Sequence, residues 1–154
     1  MSSTKTLFRK RRYLFILPFL FLLLPACTNV RLIQEYDETT DHKITLLQER
    51  FARFFIRMEK QVGQPESAYA KYEGFYEDVK TEINVLEVRN RAIPKSQITQ
   101  EQLGLLEKEV SQLEKLHQLG FTSYEELVPV KNAVESSFAA ILQYQLALKH
   151  RIKS

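Results

Sequence analysis

The sequence predicts an all-α fold, either an antiparallel four-helix bundle or an extended helical hairpin assembly. From Val30 onward, apolar residues recur at intervals of three and four, as they do along one face of a helix. No segment of comparable length alternates as a β-strand does. Short connections that contain Gly or Pro separate the helical segments. Since short connections favour antiparallel packing of consecutive helices, an up-down-up-down arrangement is the simplest expectation.

The first two predicted helices span about residues 31–62 and 66–92. The first has a stripe of apolar residues and ends at Gly63 and Pro65, which follow the usual order of a C-terminal cap. The second has an almost unbroken heptad seam and stops before Pro94. The stripe of the first helix comprises Ile44, Leu47, Phe51, Phe54 and Met58, and the seam of the second comprises Tyr69, Tyr72, Tyr76, Val79, Ile83 and Leu86.

The third and fourth helices are predicted at about residues 100–119 and 123–151. Thr99 with Gln102 and Ser123 with Glu126 have the spacing of capping boxes, in which two side chains satisfy free backbone donors at a helix start. Gly120 ends the third helix. Pro129 falls in the second turn of the fourth, so the main helix begins either at Ser123 or at Pro129.

The N-terminal segment has the organisation of an export signal. Five basic residues lie within the first twelve positions, and an apolar run from Tyr13 to Leu24 follows them, interrupted by Pro18. The run is about 12 residues long, whereas a membrane-spanning helix needs about 20. We therefore expect residues 1–26 to be a cleaved signal peptide rather than a permanent anchor.

The segment Leu24-Pro25-Ala26-Cys27 resembles the lipobox of bacterial lipoproteins, with Pro25 an unusual residue at the variable position. The resemblance implies that the thiol of Cys27 bears lipid and that cleavage falls between Ala26 and Cys27. It also implies a membrane-tethered domain over residues 27–154. By the same resemblance, Thr28 after the cysteine favours the outer membrane facing the periplasm. The alternative is that Cys27 is only a small apolar residue at the end of a membrane segment.

The charge of the mature chain argues against nucleic-acid binding. Without residues 1–26, about 17 Lys and Arg stand against 19 Asp and Glu, a net charge near −2. A general nucleic-acid binder would carry a basic excess. The expected partners are the membrane, through acylated Cys27, and an envelope protein whose identity the sequence does not indicate.

Three patterns partly match cofactor sites. Glu114 and His117 form half of a di-iron motif, which needs a second such pair and two further carboxylates. Met58 with His117 or His150 could ligate haem, although Met58 lies on the predicted core stripe. The acidic residues between Asp37 and Asp41 lack the spacing of a calcium loop. We therefore expect no cofactor, no metal and no enzymatic activity.

Three surfaces have both a functional and a structural interpretation. A basic stripe could touch lipid headgroups or an acidic partner, or it could remain a solvated face; it comprises Arg50, Arg53, Arg57 and Lys60. The tyrosines of the second helix could line a pocket or belong to the core. The last helix is apolar on most sides, so it is either central to the bundle or a partner surface. The predicted partner surface comprises Phe138, Ile141, Leu142, Tyr144 and Leu148.

These observations predict a lipid-anchored helical interaction or scaffold module. A helical bundle that binds a small ligand or lipid between its aromatic seams is the main alternative. An enzyme with a catalytic site assembled from distant residues is a further alternative.

Overall fold

A computed structural model describes residues 32–152, which form four α-helices and two short 3-10 turns. The all-α prediction is confirmed. The helices are α1 (Glu38–Gln61), α2 (Glu73–Arg91), α3 (Gln97–Leu119) and α4 (Tyr124–Ile152), and the turns are Pro65–Ser67 and Tyr69–Lys71. The predicted signal peptide, Ala26 and Cys27 lie outside the described residues. Among the helices described, none is long and apolar enough to cross a membrane.

The helices pack as an antiparallel four-helix bundle. Each helix packs against the next along the chain, and α4 packs against α1. Asp37, just before α1, pairs with Arg89 near the end of α2, and Asp41 in the first turn of α1 lies 3.8 Å from Lys149 near the end of α4. The bundle therefore has an entry end, at the starts of α1 and α3 and the ends of α2 and α4, and a far end opposite to it.

The core consists of the apolar stripes that the sequence predicts. Ile44, Leu47 and Met58 of α1 are fully buried, as are Val79 and Ile83 of α2. The stripes of α3 and α4 meet them in the interior. These further buried residues are Leu103, Leu106, Val110, Leu113, Leu127, Val134, Phe138 and Ile141. Burial of these faces is the main driving force that holds the four helices together.

Helix α1 begins at Glu38 rather than near residue 31. Asp37 is the N-cap, and its carboxylate accepts the backbone N–H of Thr40 at 2.9 Å. A carboxylate in this position satisfies one of the donors left free at a helix start. Residues 32–37 are not helical, so the predicted start was about seven residues too early.

Helix α2 begins at Glu73 rather than at residue 66. The two 3-10 turns occupy the predicted first turns, and Tyr72 is the N-cap. The carbonyl of Ser67 accepts a hydrogen bond from the ring of His117, so it is engaged in a tertiary contact instead of a helical ladder. A contact with a residue far along the chain therefore overrides the local helical pattern.

The predicted capping box of Thr99 and Gln102 is wrong. Helix α3 begins at Gln97 with Ser96 as N-cap, so Thr99 lies inside its first turn. The Thr99 hydroxyl donates to Gln34 Oε1 at 2.9 Å, and Gln102 Nε2 donates to the carbonyl of Ala140 at 3.2 Å. Both side chains serve tertiary contacts rather than the helix start.

Helix α4 is continuous, with Pro129 inside it. The alternative in which the helix starts at Pro129 is therefore wrong. The Glu126 carboxylate accepts the backbone N–H and the hydroxyl of Thr122 at 2.9 and 2.8 Å, and it also bonds the backbone of Ser123. The Ser123 side chain bonds Glu125. The predicted contact between Glu126 and the backbone before the helix is present, and it extends to Thr122.

Candidate functional site: the His117 cluster

The structure brings two of the predicted constellations together at the far end of the bundle. Glu114 and His117 lie one turn apart near the end of α3. Tyr76 reaches them from α2, and Tyr69 reaches them from the second 3-10 turn. We refer to His117, Glu114, Tyr69, Tyr72 and Tyr76 as the His117 cluster.

Both ring nitrogens of His117 are engaged. Nε2 lies 2.7 Å from the carbonyl oxygen of Ser67, and because a carbonyl can only accept, Nε2 carries the proton. Nδ1 lies 2.9 Å from the hydroxyl of Tyr76, and in the neutral ring, which burial favours, Nδ1 accepts from that hydroxyl. This assignment makes His117 a neutral imidazole that ties α2 and the first 3-10 turn to α3.

The protonation states agree with this arrangement. Burial lowers the pKa of His117, which disfavours the imidazolium form. Burial, with a smaller contribution from the Glu114 carboxylate, raises the pKa of Tyr76 well above its usual range. At neutral pH the pair is therefore an uncharged phenol donating to an uncharged imidazole.

Aromatic rings surround the imidazole. The ring centroids of Tyr72 and Phe121 lie 5.3 and 5.4 Å from that of His117, and the ring of Phe54 lies at 6.0 Å. Phe54 also stacks on Phe75 with centroids 4.5 Å apart. These rings pack against one another, so the interpretation of the tyrosines as core residues fits better than that of a pocket lining.

The outer polar groups of the cluster are also paired. The Tyr69 hydroxyl donates to Glu114 Oε1 at 3.1 Å, and Lys80 Nζ lies 2.7 Å from Glu114 Oε2. The Tyr72 hydroxyl donates to Gln61 at 2.9 Å. The hydroxyls of Tyr69 and Tyr72 thus lie at the edge of the core, as the structural interpretation predicts, whereas the hydroxyl of Tyr76 is buried.

The cluster is built for holding elements together rather than for binding a metal. A metal would need the lone pair on Nδ1 of His117, and that lone pair already accepts the hydroxyl hydrogen of Tyr76. The carboxylate of Glu114 is in an ion pair with Lys80. Over residues 32–152, no group of three or more His, Cys, Asp and Glu side chains is arranged to hold a metal ion. Glu114 and His117 of the half di-iron motif therefore join α2, α3 and the 3-10 turns through hydrogen bonds and an ion pair.

Two of the residues considered for haem, Met58 and His117, are occupied by packing and by hydrogen bonds, since both ring nitrogens of His117 are engaged. Met58 is fully buried in the core, as the packing interpretation predicts. His117 lies at the far end, whereas His150 is exposed near the end of α4, at the entry end.

Asp37 and Asp41 of the acidic cluster, and Arg50 and Arg53 of the basic stripe, are paired within the protein. Asp37 makes a bidentate contact with Arg89, with both distances 2.7 Å, and this pairing lowers the pKa of Asp37 to about 2. Asp41 accepts from the Tyr36 hydroxyl at 2.6 Å. Arg50 lies 2.9 Å from Glu82 on α2, and Arg53 lies 3.7 Å from Glu49. These contacts fit the solvated-face interpretation.

The predicted partner surface on α4 is wrong for three of its five residues. Phe138, Ile141 and Leu148 are between 0 and 2% exposed because they lie on the helix face that meets the other three helices. Leu142 and Tyr144 are half-buried at the edges of that face. The inner face of α4 is therefore part of the bundle core, as the alternative interpretation of this helix predicts.

The outer side of α4 is exposed and uncharged. Residues 136–148 contain no Asp, Glu, Lys, Arg or His, over about 18 Å of helix. We refer to its exposed residues as the α4 outer face. They are Ser136, Ala139, Ala140, Gln143, Leu146 and Ala147.

Buried polar residues at the entry end were not predicted. Gln34, Thr40, Asn90, Thr99 and Gln145 are each 4% exposed or less. Asn90 Nδ2 donates to Thr40 Oγ1 at 3.2 Å, which joins α2 to α1. The sequence could have indicated them, because a polar residue that continues the spacing of an apolar stripe lies on the buried face of the helix. Asn90 follows Leu86 by four positions, and Gln145 follows Ile141 by four.

Comparisons of the chain with protein-family models, with curated proteins and with solved structures found no match.

Proposed function

We propose that this chain is a lipid-anchored protein of the bacterial cell envelope whose helical bundle is a non-enzymatic interaction module. In this proposal, residues 1–26 are cleaved as a signal peptide and Cys27 carries acyl chains. The order of basic segment, apolar run and Leu24-Pro25-Ala26-Cys27 supports the anchor. Two or more acyl chains give a stable attachment, whereas a single chain does not.

The short tether supports a position beside the bilayer. Gln34 follows Cys27 by seven residues and is buried, with its side-chain carbonyl accepting from Thr99 at the start of α3. Seven extended residues span at most about 25 Å. An anchor at Cys27 therefore keeps the entry end of the bundle near the membrane. The residue after the cysteine, Thr28, favours the periplasmic side of the outer membrane.

The observation that carries the interaction role is the uncharged α4 outer face. Leu146 is 51% exposed beside the small residue Ala147, and no charge interrupts residues 136–148. Small side chains let a second helix approach closely, so the partner we propose is an envelope protein that presents an apolar helix. The titratable groups of the His117 cluster are consumed by internal hydrogen bonds, which favours a binding role over catalysis.

A site-specific photocrosslinker tests the interaction. We expect a crosslinker at Gln143, on the α4 outer face, to give a discrete adduct in intact envelopes. The matched control carries the crosslinker at Thr81, which is exposed on α2. Equal adducts at both positions, or none at Gln143 under varied growth conditions, would contradict the proposal.

Labelling with radioactive palmitate tests the anchor separately. The wild-type chain should incorporate label and sediment with membranes, and Cys27→Ser should lose the label and retain the signal peptide. If the interaction depends on membrane placement, the Gln143 adduct should also disappear in Cys27→Ser. A wild-type chain with an unmodified Cys27 would contradict the anchored placement.

A further inference from the structure

The turn between α2 and α3 is a second surface suited to a membrane, at the same end of the bundle as the chain entry. Arg91 is the last residue of α2, and α3 begins at Gln97. We refer to residues 91–98 as the basic tip. Arg91, Pro94, Lys95 and Ile98 are exposed, and Ile93 is half-buried.

The basic tip combines positive charge with exposed aliphatic surface. No acidic residue occurs between Glu87 and Glu101. Arg91 and Lys95 make no ion pair with any residue of the described chain, in contrast to Arg89, which is bound by Asp37. The side chain of Ile98 is 43% exposed beside these cations. Basic and aliphatic side chains on one surface are typical of segments that lie at a bilayer interface.

The backbone of the turn has a defined conformation. Lys95 has a φ of 62°, a left-handed conformation that is unusual for a residue other than glycine. Two hydrogen bonds hold the turn. The Ser96 hydroxyl donates to the carbonyl of Asn90, and Gln100 Nε2 donates to Ser96 Oγ at 2.7 Å. The tip is therefore hydrogen-bonded to the end of α2 and to the first turn of α3.

The short chain between Cys27 and Gln34 indicates which surface lies near the basic tip. Thr99, the residue after the tip, bonds Gln34, and at most about 25 Å of chain separates Gln34 from Cys27. We propose that the basic tip contacts the headgroup layer of a bilayer that contains anionic phospholipid. This inference rests on the proposed function, since the acyl chains at Cys27 bring the tip to that surface. Lys and Arg near an anionic leaflet are attracted to it within about one Debye length.

Spin labels on the acylated mature protein, residues 27–154, in vesicles test this contact. A nitroxide at Ile98→Cys reports the tip, and a nitroxide at Leu119→Cys reports the far end, where Leu119 is 84% exposed. In vesicles of phosphatidylglycerol and phosphatidylethanolamine, we expect the label at position 98 to collide with oxygen and to be protected several-fold from a water-soluble nickel reagent. The label at position 119 should be open to nickel.

Charge reversal and vesicle composition identify the headgroup contact. We expect Arg91→Glu with Lys95→Glu, and vesicles of phosphatidylcholine alone, to restore nickel access at position 98. The control pair Lys108→Glu with Lys115→Glu, on exposed positions of α3, should leave it protected.

Acyl chains detected by mass together with a fully nickel-accessible position 98 would overturn the inference and leave the anchor standing. Protection that persists after charge reversal would overturn the role of the two cations. A chain without acyl groups would overturn the proposed function, and the inference with it.

Discussion

Tyr76 and Tyr144 are both tyrosines with a buried hydroxyl, yet only that of Tyr76 has a hydrogen-bond partner in the described chain. Tyr76→Phe would leave His117 Nδ1 buried without a donor, so we expect the free energy of unfolding to fall by about 1–3 kcal/mol. Tyr144→Phe removes an unsatisfied hydroxyl and should change it by less than about 0.5 kcal/mol, or raise it. Urea unfolding of both variants measures the difference, and equal losses would contradict the hydrogen-bond assignment.

The protonation of His117 predicts a pH dependence of stability. Because burial lowers the pKa of His117 below its ordinary value near 6.5, the unfolded chain binds a proton before the folded chain does. The contribution is complete above about pH 6.5 and is lost as the pH falls toward the lower folded-state pKa. The free energy of unfolding should therefore decline over this window in the wild type and less steeply in His117→Gln. His42→Gln, at an exposed position, should keep the decline.

Asp37 should contribute to the pH dependence of stability in a separate, more acidic window. Its pKa is lowered to about 2, first by Arg89 and also by Thr40, so its contribution is complete above about pH 4 and is lost as the pH falls toward 2. Asp37→Asn keeps an acceptor for the Thr40 N–H but removes the ion pair. We expect a loss of about 1 kcal/mol at pH 7, since Arg89 is 41% exposed and water weakens the pair. An Asn variant with an unchanged acid profile would contradict this role.

At the scale of the element, α3 has one glycine within it and one at its end, and their replacement by alanine should have opposite effects. Gly120 caps the helix with a φ of 87°, a conformation that an alanine adopts only with strain. Gly104 is helical and exposed, and a Cβ there would meet no atom within 4 Å. Gly120→Ala should lower the free energy of unfolding by about 1 kcal/mol, and Gly104→Ala should raise it by about 0.5–1 kcal/mol. Thermal unfolding of the two variants compares them directly, and a shift of the same sign in both would contradict the assignment.

Helix faces were predictable from the sequence, and several helix starts were not. The spacing of Ile44, Leu47 and Phe51 predicts the buried face of α1 because a single period relates all members of the stripe. The start of α2 depends on the carbonyl of Ser67, whose acceptor role is used by a residue 50 positions away. Local patterns contain no information about such a contact, so the 3-10 turns were predicted as helix.

The same limit applies to the candidate site. The Glu114 and His117 pair was visible in the sequence as an incomplete metal motif, and Tyr76 was visible as part of a seam. The hydrogen bond between His117 and Tyr76 spans 41 positions, so only the folded chain shows that the imidazole is used internally. The lipid attachment at Cys27 remains a prediction from the sequence alone.

At the scale of the whole bundle, buried amide side chains and the aromatic rings around His117 lie at opposite ends. The entry end contains the buried amides of Gln34, Asn90 and Gln145, and the far end contains the rings around His117. If Cys27 holds the entry end at the bilayer, the His117 cluster faces away from it. The α4 outer face then runs along the side of the bundle, between the two ends.

The division of α4 into an inner and an outer face predicts two variants that separate stability from binding. Ile141 is fully buried, so Ile141→Ala should lower the free energy of unfolding by about 2–5 kcal/mol. Leu146 is 51% exposed, so Leu146→Ala should change it by less than about 0.5 kcal/mol, because truncation there leaves no cavity. Chemical unfolding measures the stability of each variant.

Crosslinking from Gln143 measures binding in the same pair of variants. Leu146→Ala should weaken the adduct although the fold is intact, because Leu146 is the largest aliphatic side chain on the α4 outer face. A stable Leu146→Ala variant with an undiminished adduct would place the partner elsewhere on the bundle. Loss of stability in Leu146→Ala comparable to that in Ile141→Ala would instead show that the outer face is part of the packed interior.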